Sequence, residues 1–345
     1  MLLKAAAFVV IVAGIMSAKS LIIPFLLAAF LAVICGPPLY WLRTRGVPPL
    51  LTIILLVLVL IAVEMIVARL IGSSLADFSR NLPLYQSRLK EILAGGILWL
   101  QEHGIEVTDD VLVSQFDPGK IMGLAANTLN RMGALLTNAF MIIVTLFFIL
   151  LEAAGFPDKL RAIAGDRNAS LEDYAAMTRG VNRYLVIKTC TSMATGVLVA
   201  VALRFIGVDF AGMWGLVAFI FNFVPTIGSI LAAIPAVLVA LVQLGPGPAL
   251  TTVIFYLVIN LVISNILEPR IMGTSVGLSP LVIFVSMAFW GWILGPVGML
   301  LSVPLTMVVK IALQSDEKTR SFALLLGSNR EAKAVLHRQR TNPGE

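Results

Sequence analysis

The sequence predicts an all-α integral membrane protein with several spanning helices. Of its 345 residues 59% are hydrophobic and only 13% are charged, and the mean hydropathy is +0.97, whereas soluble domains carry about 25% charged residues. Apolar stretches long enough to cross a hydrocarbon core of about 30 Å recur along the whole chain. Because a soluble globule could not bury this much apolar surface, we expect no enzyme activity and no cofactor. Cys35 and Cys190 lie in apolar stretches, which predicts neither a disulfide nor a metal site.

Residues 1–73 are predicted to form the N-terminal membrane helices. Residues 5–18 and 21–35 are two apolar runs that follow each other with only Lys19 and Ser20 between them. A cleaved signal peptide would be followed by a polar mature segment, so we predict a retained helical hairpin. A basic turn and then a spanning helix over residues 50–71 complete this part of the chain.

Residues 74–133 are predicted to form an amphipathic helical insert, and an excess of acidic residues distinguishes it from the segments around it. Residues 134–313 are predicted to form the membrane core, with crossings at 134–151, 185–206 and 250–266, and residues 314–345 a basic tail. Arginine and lysine are concentrated in the turn at 36–49, in the loop at 156–183 and in the tail. The positive-inside rule places these three regions in the cytoplasm and the insert outside it.

Two longer apolar stretches of the core are predicted to be broken helical hairpins. Residues 214–244 are interrupted by Pro225-Thr226-Ile227-Gly228, and residues 281–313 by Gly295-Pro296-Val297-Gly298. Each stretch follows a single crossing, and the segments after the two breaks can be aligned with one gap. The topology gives the two copies opposite orientations, which predicts an inverted repeat with its binding site near the middle of the membrane.

Polar and helix-breaking residues at these positions are the candidates for a solute path. Unpaired backbone groups and short polar side chains at a broken helix can together hydrogen-bond a hydroxyl-rich solute, although Asn and Ser also serve as packing contacts between membrane helices. The set comprises Asn222, Pro225, Thr226, Gly228, Ser229, Asn260, Ser264, Asn265, Gly295, Pro296 and Gly298.

Three charged residues are candidates for a gate or for ion coupling. Glu64 lies well inside the predicted span over residues 50–71, where a carboxylate is costly and is a functional candidate by default; alternatively it lies near the outer interface. Glu268 and Arg270 flank Pro269 at the cytoplasmic end of a predicted crossing. They are interpreted as a gate, and the alternative is a solvated turn.

Three motifs identify a family resemblance. The sequences FNFVPTIGS (Phe221 to Ser229), NILEPRIMG (Asn265 to Gly273) and GPVG (Gly295 to Gly298) resemble the autoinducer-2 exporter family of bacterial permeases. The resemblance covers nearly the whole chain, including the acidic insert. It implies a multi-pass protein of the bacterial inner membrane that exports a small, polar, oxygen-rich signalling molecule and forms homo-oligomers.

The function that this resemblance implies has an alternative, because some relatives are described as sodium/proton antiporters. Antiport needs an intramembrane acid, and among the acids only Glu64 is well placed in a predicted span. A membrane scaffold or sensor is disfavoured, since it has no need of broken helices. The expected partners are a small polar solute, the lipid bilayer and further copies of the chain, and no nucleic acid.

Overall fold

The computed structural model describes residues 2–103, 117–136, 139–153, 168–225, 227–272, 277–314 and 319–328. Within these ranges every regular element is helical, and Leu278 and Gly327 form an isolated antiparallel β-bridge. The predicted all-α architecture is therefore confirmed. Thr226, the predicted cytoplasmic loop up to residue 167 and most of the basic tail lie outside the described residues.

The N-terminal corner differs from the predicted hairpin. Helix α1 (Leu2–Ser17) and helix α2 (Lys19–Ile34) are joined by the single residue Ala18, and their axes are bent by 83°. Antiparallel helices are connected by about 2–8 residues, so one linking residue lets the chain turn a corner but not reverse. A short helix, α3 (Gly36–Thr44), follows within the predicted basic turn.

Helix α4 (Pro49–Glu102) joins the predicted span and the insert into one element of 54 residues. At a rise of about 1.5 Å per residue it is about 81 Å long, more than twice the hydrocarbon thickness of about 30 Å. The helix passes through the predicted boundary at residues 73 and 74 without a break. The helix is therefore longer than one crossing requires, and helix α5 (Pro118–Leu136) packs against its second half.

The remaining helices belong to the predicted membrane core, except the last, which lies in the predicted tail, and several of them are too short to cross a bilayer alone. They are α6 (Ala139–Ala153), α7 (Asn168–Ile206), α8 (Ala211–Phe221), α9 (Gly228–Leu244), α10 (Pro246–Asn260), a π-helix π1 (Leu261–Leu267), α11 (Glu268–Met272), α12 (Pro280–Leu294), α13 (Pro296–Leu300), α14 (Ser302–Gln314) and α15 (Arg320–Leu326). Among the described residues three helices are long and apolar enough to span a membrane, or four if the bent α1–α2 pair counts as one span.

Helices α7 and α8 pack closely against each other at two glycines. A Cβ atom added to Gly196 would lie 2.7 Å from the carbonyl oxygen of Gly215, and one added to Gly215 would lie 2.6 Å from the Cβ atom of Ala200. Only glycine permits this approach, because larger side chains would separate the helix backbones. The contact holds α8, and with it the first break, against the middle of α7.

Both predicted breaks are present, and both use a glycine at the same kind of contact. Helix α8 ends at Phe221 and α9 begins at Gly228, while α12 ends at Leu294 and α13 begins at Pro296 after Gly295, whose φ is 68°. A Cβ on Gly228 would collide with the carbonyl oxygen of Phe221, and a Cβ on Gly298 with that of Trp290. The broken hairpins are confirmed, and their relation by an inverted repeat stays a prediction.

The insert packs against the core of its own chain. Phe78 and Tyr85 from α4, Met122 and Leu129 from α5, and Trp214 from α8 are all buried in one apolar cluster. Two polar contacts reinforce it: the Tyr85 hydroxyl donates to Asp209 Oδ2 at 2.7 Å, and Arg88 Nη1 donates to the carbonyl oxygen of Gln243 at 3.2 Å. The first broken hairpin is therefore braced from the side on which the insert lies.

Candidate functional site

A polar cavity of about 230 Å³ lies where the first break, α7 and the π-helix meet. In an otherwise apolar core such a concentration of hydrogen-bonding groups has a solvation cost, which makes it the leading candidate for a solute site. We call it the polar cavity. It is lined by Tyr184, Lys188, Asn222, Val224, Pro225, Ser229, Asn260, Ser264, Asn265, Glu268, Met272, Ile283 and Val303.

A buried ion pair forms one wall of the polar cavity. Lys188 Nζ donates to Oε1 and to Oε2 of Glu268, each at 2.9 Å, and the two side chains are only 6% and 14% exposed. Lys188 lies at the middle of α7, and Glu268 is the first residue of α11, 80 positions later in the chain. The pair therefore ties the two predicted repeat units together across the cavity.

A chain of neutral hydrogen bonds continues from the first break. Asn222, at the C-terminal end of α8, is buried, and its Nδ2 donates to Ser192 Oγ at 3.0 Å. The hydroxyl of Ser264, on the π-helix, donates to Asn222 Oδ1 at 3.4 Å. Asn222 thus has hydrogen-bond partners on both α7 and the π-helix, so its side chain is held in one orientation at the cavity wall.

The π-helix lies between α10 and α11 and carries two of the lining residues. Residues Leu261–Leu267 have this rare geometry, which occurs mostly as short insertions in α-helices and frequently at functional sites. The wider turn changes the direction in which residues on either side point. Asn260, Ser264, Asn265 and Glu268 all line the one cavity, and Asn260, Ser264 and Glu268 follow each other at four-residue spacing, which places them on one face.

The structure brings together seven of the predicted candidates and leaves the others apart. Seven line the polar cavity, namely Asn222, Pro225, Ser229, Asn260, Ser264, Asn265 and Glu268. Gly228 lies behind the break, against Phe221, and Gly298 lies at the second break, against Trp290. Gly295 and Pro296 form the turn of that second break and are absent from the described lining.

The three predicted charged residues are placed differently from one another. Glu64 lies on α4, half-buried, and is not among the described residues that line the cavity. Arg270 is exposed, whereas Glu268, the other residue interpreted as a gate, forms an ion pair with Lys188. The reason is geometric: Arg270 is two residues from Glu268 on a helix, and residues at that spacing do not face each other.

Sequence reasoning missed Lys188 and Tyr184. A signal for Lys188 was available, since it is a lysine inside the predicted crossing at residues 185–206, and ionisable residues within spans are functional candidates by default. Nothing in the local sequence marks Tyr184, which precedes that crossing. Its position on the cavity wall depends on packing between α7 and elements that lie far away in the chain.

Comparison with known proteins identifies the family of this chain. A family model described as AI-2E family transporter matches residues 6–317. The chain is 41% identical over 321 residues to the AI-2 transport protein TqsA of Escherichia coli K12, covering 92% of each chain. It is also 37% identical over 335 residues to a putative transport protein of Haemophilus influenzae, covering 94% of this chain and 95% of the relative. The chain therefore belongs to the AI-2E transporter family.

Proposed function

We propose that this protein resides as a multi-pass protein in the bacterial inner membrane and exports autoinducer-2 or a similar small polar signalling molecule. The observation that carries the proposal is the polar cavity at the first broken hairpin, in a chain of the AI-2E transporter family. The relative from Escherichia coli is named for AI-2 transport. Further copies of the chain are expected to assemble around the same core.

The cavity has the size and chemistry that such a solute needs. Its volume of about 230 Å³ is below the range of about 300–1,000 Å³ that holds drug-sized ligands, so it suits a smaller molecule. Asn222, Ser229, Asn260 and Ser264 offer amide and hydroxyl groups, each of which can both donate and accept. A solute rich in hydroxyl and carbonyl oxygens can exchange its water contacts for these groups as it enters.

Passage past the first break follows from the same geometry. The break removes the continuous helical backbone between Phe221 and Gly228, and irregular backbone at membrane depth is tolerated where it lines a polar cavity. Alternating access then requires the hairpin α8–α9 to move relative to α10 and the π-helix. The relatives reported above are named for transport and neither is named for sodium/proton antiport, and Glu64, the expected centre of that alternative, is not among the described residues that line the cavity.

The test is efflux of labelled autoinducer-2 from proteoliposomes that contain single-residue variants. Asn222→Ala and Ser264→Ala each remove a hydrogen-bonding group from the cavity wall, so we expect efflux to fall about three- to tenfold, as for a lost hydrogen bond. Thr226→Ala belongs to the same series, as a neighbour of Pro225 in the predicted path. All three variants are expected to reach the membrane in normal amounts.

The matched control is Thr251→Ala, which removes a hydroxyl from the exposed side of α10. That hydroxyl donates to the carbonyl oxygen of Gly247 within its own helix, so its loss should leave efflux unchanged. If Asn222→Ala and Ser264→Ala transport as well as this control, the solute path lies elsewhere. Loss of assembled protein in these variants would instead assign Asn222 and Ser264 to packing.

A further inference from the structure

The two charges of the polar cavity cancel. Lys188 and Glu268 are the only charged side chains among the described residues that line it, and both carboxylate oxygens lie 2.9 Å from the ammonium nitrogen. Every other polar lining group that the structure describes is a neutral amide or hydroxyl. The site is therefore rich in hydrogen-bonding groups but has no net charge to balance an ion.

A charged solute would disturb this balance. An anion that pairs with Lys188 leaves Glu268 without its partner, and a cation that pairs with Glu268 leaves Lys188 without one. In either case an uncompensated charge stays buried among apolar helices, which is strongly unfavourable. An uncharged solute has no such cost, because it brings donors and acceptors without a net charge.

Hydroxyl groups match the ion pair better than other neutral groups. A hydroxyl can accept from the ammonium while it donates to the carboxylate, since it carries one donor and two acceptor sites. An ammonium has three donors and a carboxylate about four acceptor positions, so the two hydrogen bonds of the pair leave capacity on both partners. Adjacent hydroxyls of one solute can thus bridge Lys188 and Glu268 without separating them.

We propose that the Lys188–Glu268 pair is the charge-selective element of this transporter: it admits uncharged polyhydroxylated solutes, whose hydroxyls bridge the pair, and rejects anions and cations of the same size. The proposal rests on the proposed function, in which the polar cavity is the solute site. It adds the class of solute, and it assigns a specificity-determining role to a lysine that lies 80 residues from its partner.

The first measurement uses the wild-type protein and three probes of equal carbon number. Erythritol is neutral, erythronate carries a terminal carboxylate, and 1-amino-1-deoxyerythritol carries a terminal ammonium. In equilibrium binding to the reconstituted protein, we expect erythritol to bind, and each charged probe to bind weaker by about tenfold or more. Equal binding of the three probes, or no binding of erythritol, would overturn the proposal. This comparison needs no variant to fold.

The second measurement uses variants that unbalance the pair in opposite directions. Glu268→Gln leaves a net positive cavity and should raise the ratio of erythronate to erythritol binding about tenfold or more. Lys188→Gln leaves a net negative cavity and should raise the ratio of amino-probe to erythritol binding by a similar factor. The double variant Lys188→Gln/Glu268→Gln has no net charge and should again prefer erythritol. A purely structural role would weaken all probes together. Asp77→Asn is the matched control, because its ion pair with Arg80 is exposed and its loss should change no ratio.

Efflux of labelled autoinducer-2 from wild-type proteoliposomes separates this proposal from the proposed function. Neutral-probe preference without autoinducer-2 efflux would leave the charge selectivity standing and reject the proposed solute. Autoinducer-2 efflux from a protein that binds the three probes equally would support the proposed function and reject the charge-selective role of the pair. A change of preference in the same direction for Glu268→Gln and Lys188→Gln would also overturn the charge-selective role.

Discussion

At the scale of single residues, burial of the Lys188–Glu268 pair has a desolvation cost, and the pair has a proposed role in solute selection. Burying two charges requires desolvation that their attraction barely repays, and removal of one partner costs about 3–5 kcal/mol because the other charge stays buried. Both side chains are largely inaccessible. A core that only had to be stable would place apolar side chains here, since such replacements are often neutral or stabilising. The proposed role of the pair in transport gives a reason for its presence that stability does not.

This reasoning predicts that stability and transport separate in one set of variants. Lys188→Met alone should lower the free energy of unfolding by about 3 kcal/mol or more, because Glu268 loses its partner. The double variant Lys188→Met/Glu268→Leu should recover most of that stability and still fail to transport. Thermal unfolding in detergent and efflux assays on the same preparations check the two halves. A double variant that transports normally would show that the pair is structural.

Glu64 provides the second prediction at this scale. It lies on α4 and outside the described lining of the cavity, and a solute bound by neutral groups and a paired lysine needs no titrating acid on that helix. Glu64→Gln should keep autoinducer-2 efflux within a few-fold of wild type. Efflux and sodium-dependent proton movement should be measured together. Their joint collapse in Glu64→Gln would place ion coupling at the centre of the mechanism.

At the scale of helices and their connections, the local sequence predicts where a helix breaks, but it does not predict which residues of distant helices pair with each other. Proline and glycine occur close together at residues 225–228 and 295–298, which predicts a helix break at each place, and both breaks are present. A single proline is a weaker signal, since Pro83 lies inside the continuous helix α4. The pairing of Lys188 with Glu268 depends on how α7 and α11 meet, and no local pattern contains that information. The predicted N-terminal hairpin was wrong for a related reason. Two apolar runs predict two helices, but the angle between the helices is set by a one-residue link.

The glycine contacts at the breaks give the prediction for this scale. Gly228→Ala and Gly298→Ala each add a Cβ that collides with a main-chain carbonyl oxygen, and because backbone cannot yield as a side chain can, we expect a loss of about 1–3 kcal/mol. Gly72→Ala is the control, since a Cβ on Gly72 has no neighbour within 4 Å. Thermal stability of purified variants tests this. Wild-type stability in both break variants would mean that the hairpins repack freely.

At the scale of the whole molecule, the insert and the core act as one body. Helix α4 continues from the predicted span into the insert without interruption. Tyr85 donates to Asp209, just before α8, and Arg88 donates to Gln243, near the end of α9. The sequence-based division at residue 74 predicts which part lies outside the bilayer, but the structure has no break in the helix at that position. Because the insert braces α9, motion of the first hairpin has to be accommodated along this contact.

The orientation of the whole chain is the last prediction, and it rests on charge and length together. Arg43 and Arg45 precede α4, and the positive-inside rule places such a basic segment in the cytoplasm. A helix of about 81 Å that starts there must emerge on the other side of a core of about 30 Å. The exposed residue Glu91, 42 positions after Pro49, is then about 63 Å along the helix axis and well outside the cytoplasm.

Single-cysteine labelling in a background without Cys35 and Cys190 tests this orientation. Glu91→Cys should react with a membrane-impermeant maleimide in intact spheroplasts, whereas Arg45→Cys, exposed at the other end, should react only in inside-out vesicles. The two variants control for each other, because each should remain unlabelled in the preparation in which the other reacts. The reversed pattern would place the insert in the cytoplasm, and the solute would then reach the braced side of the first hairpin from within the cell.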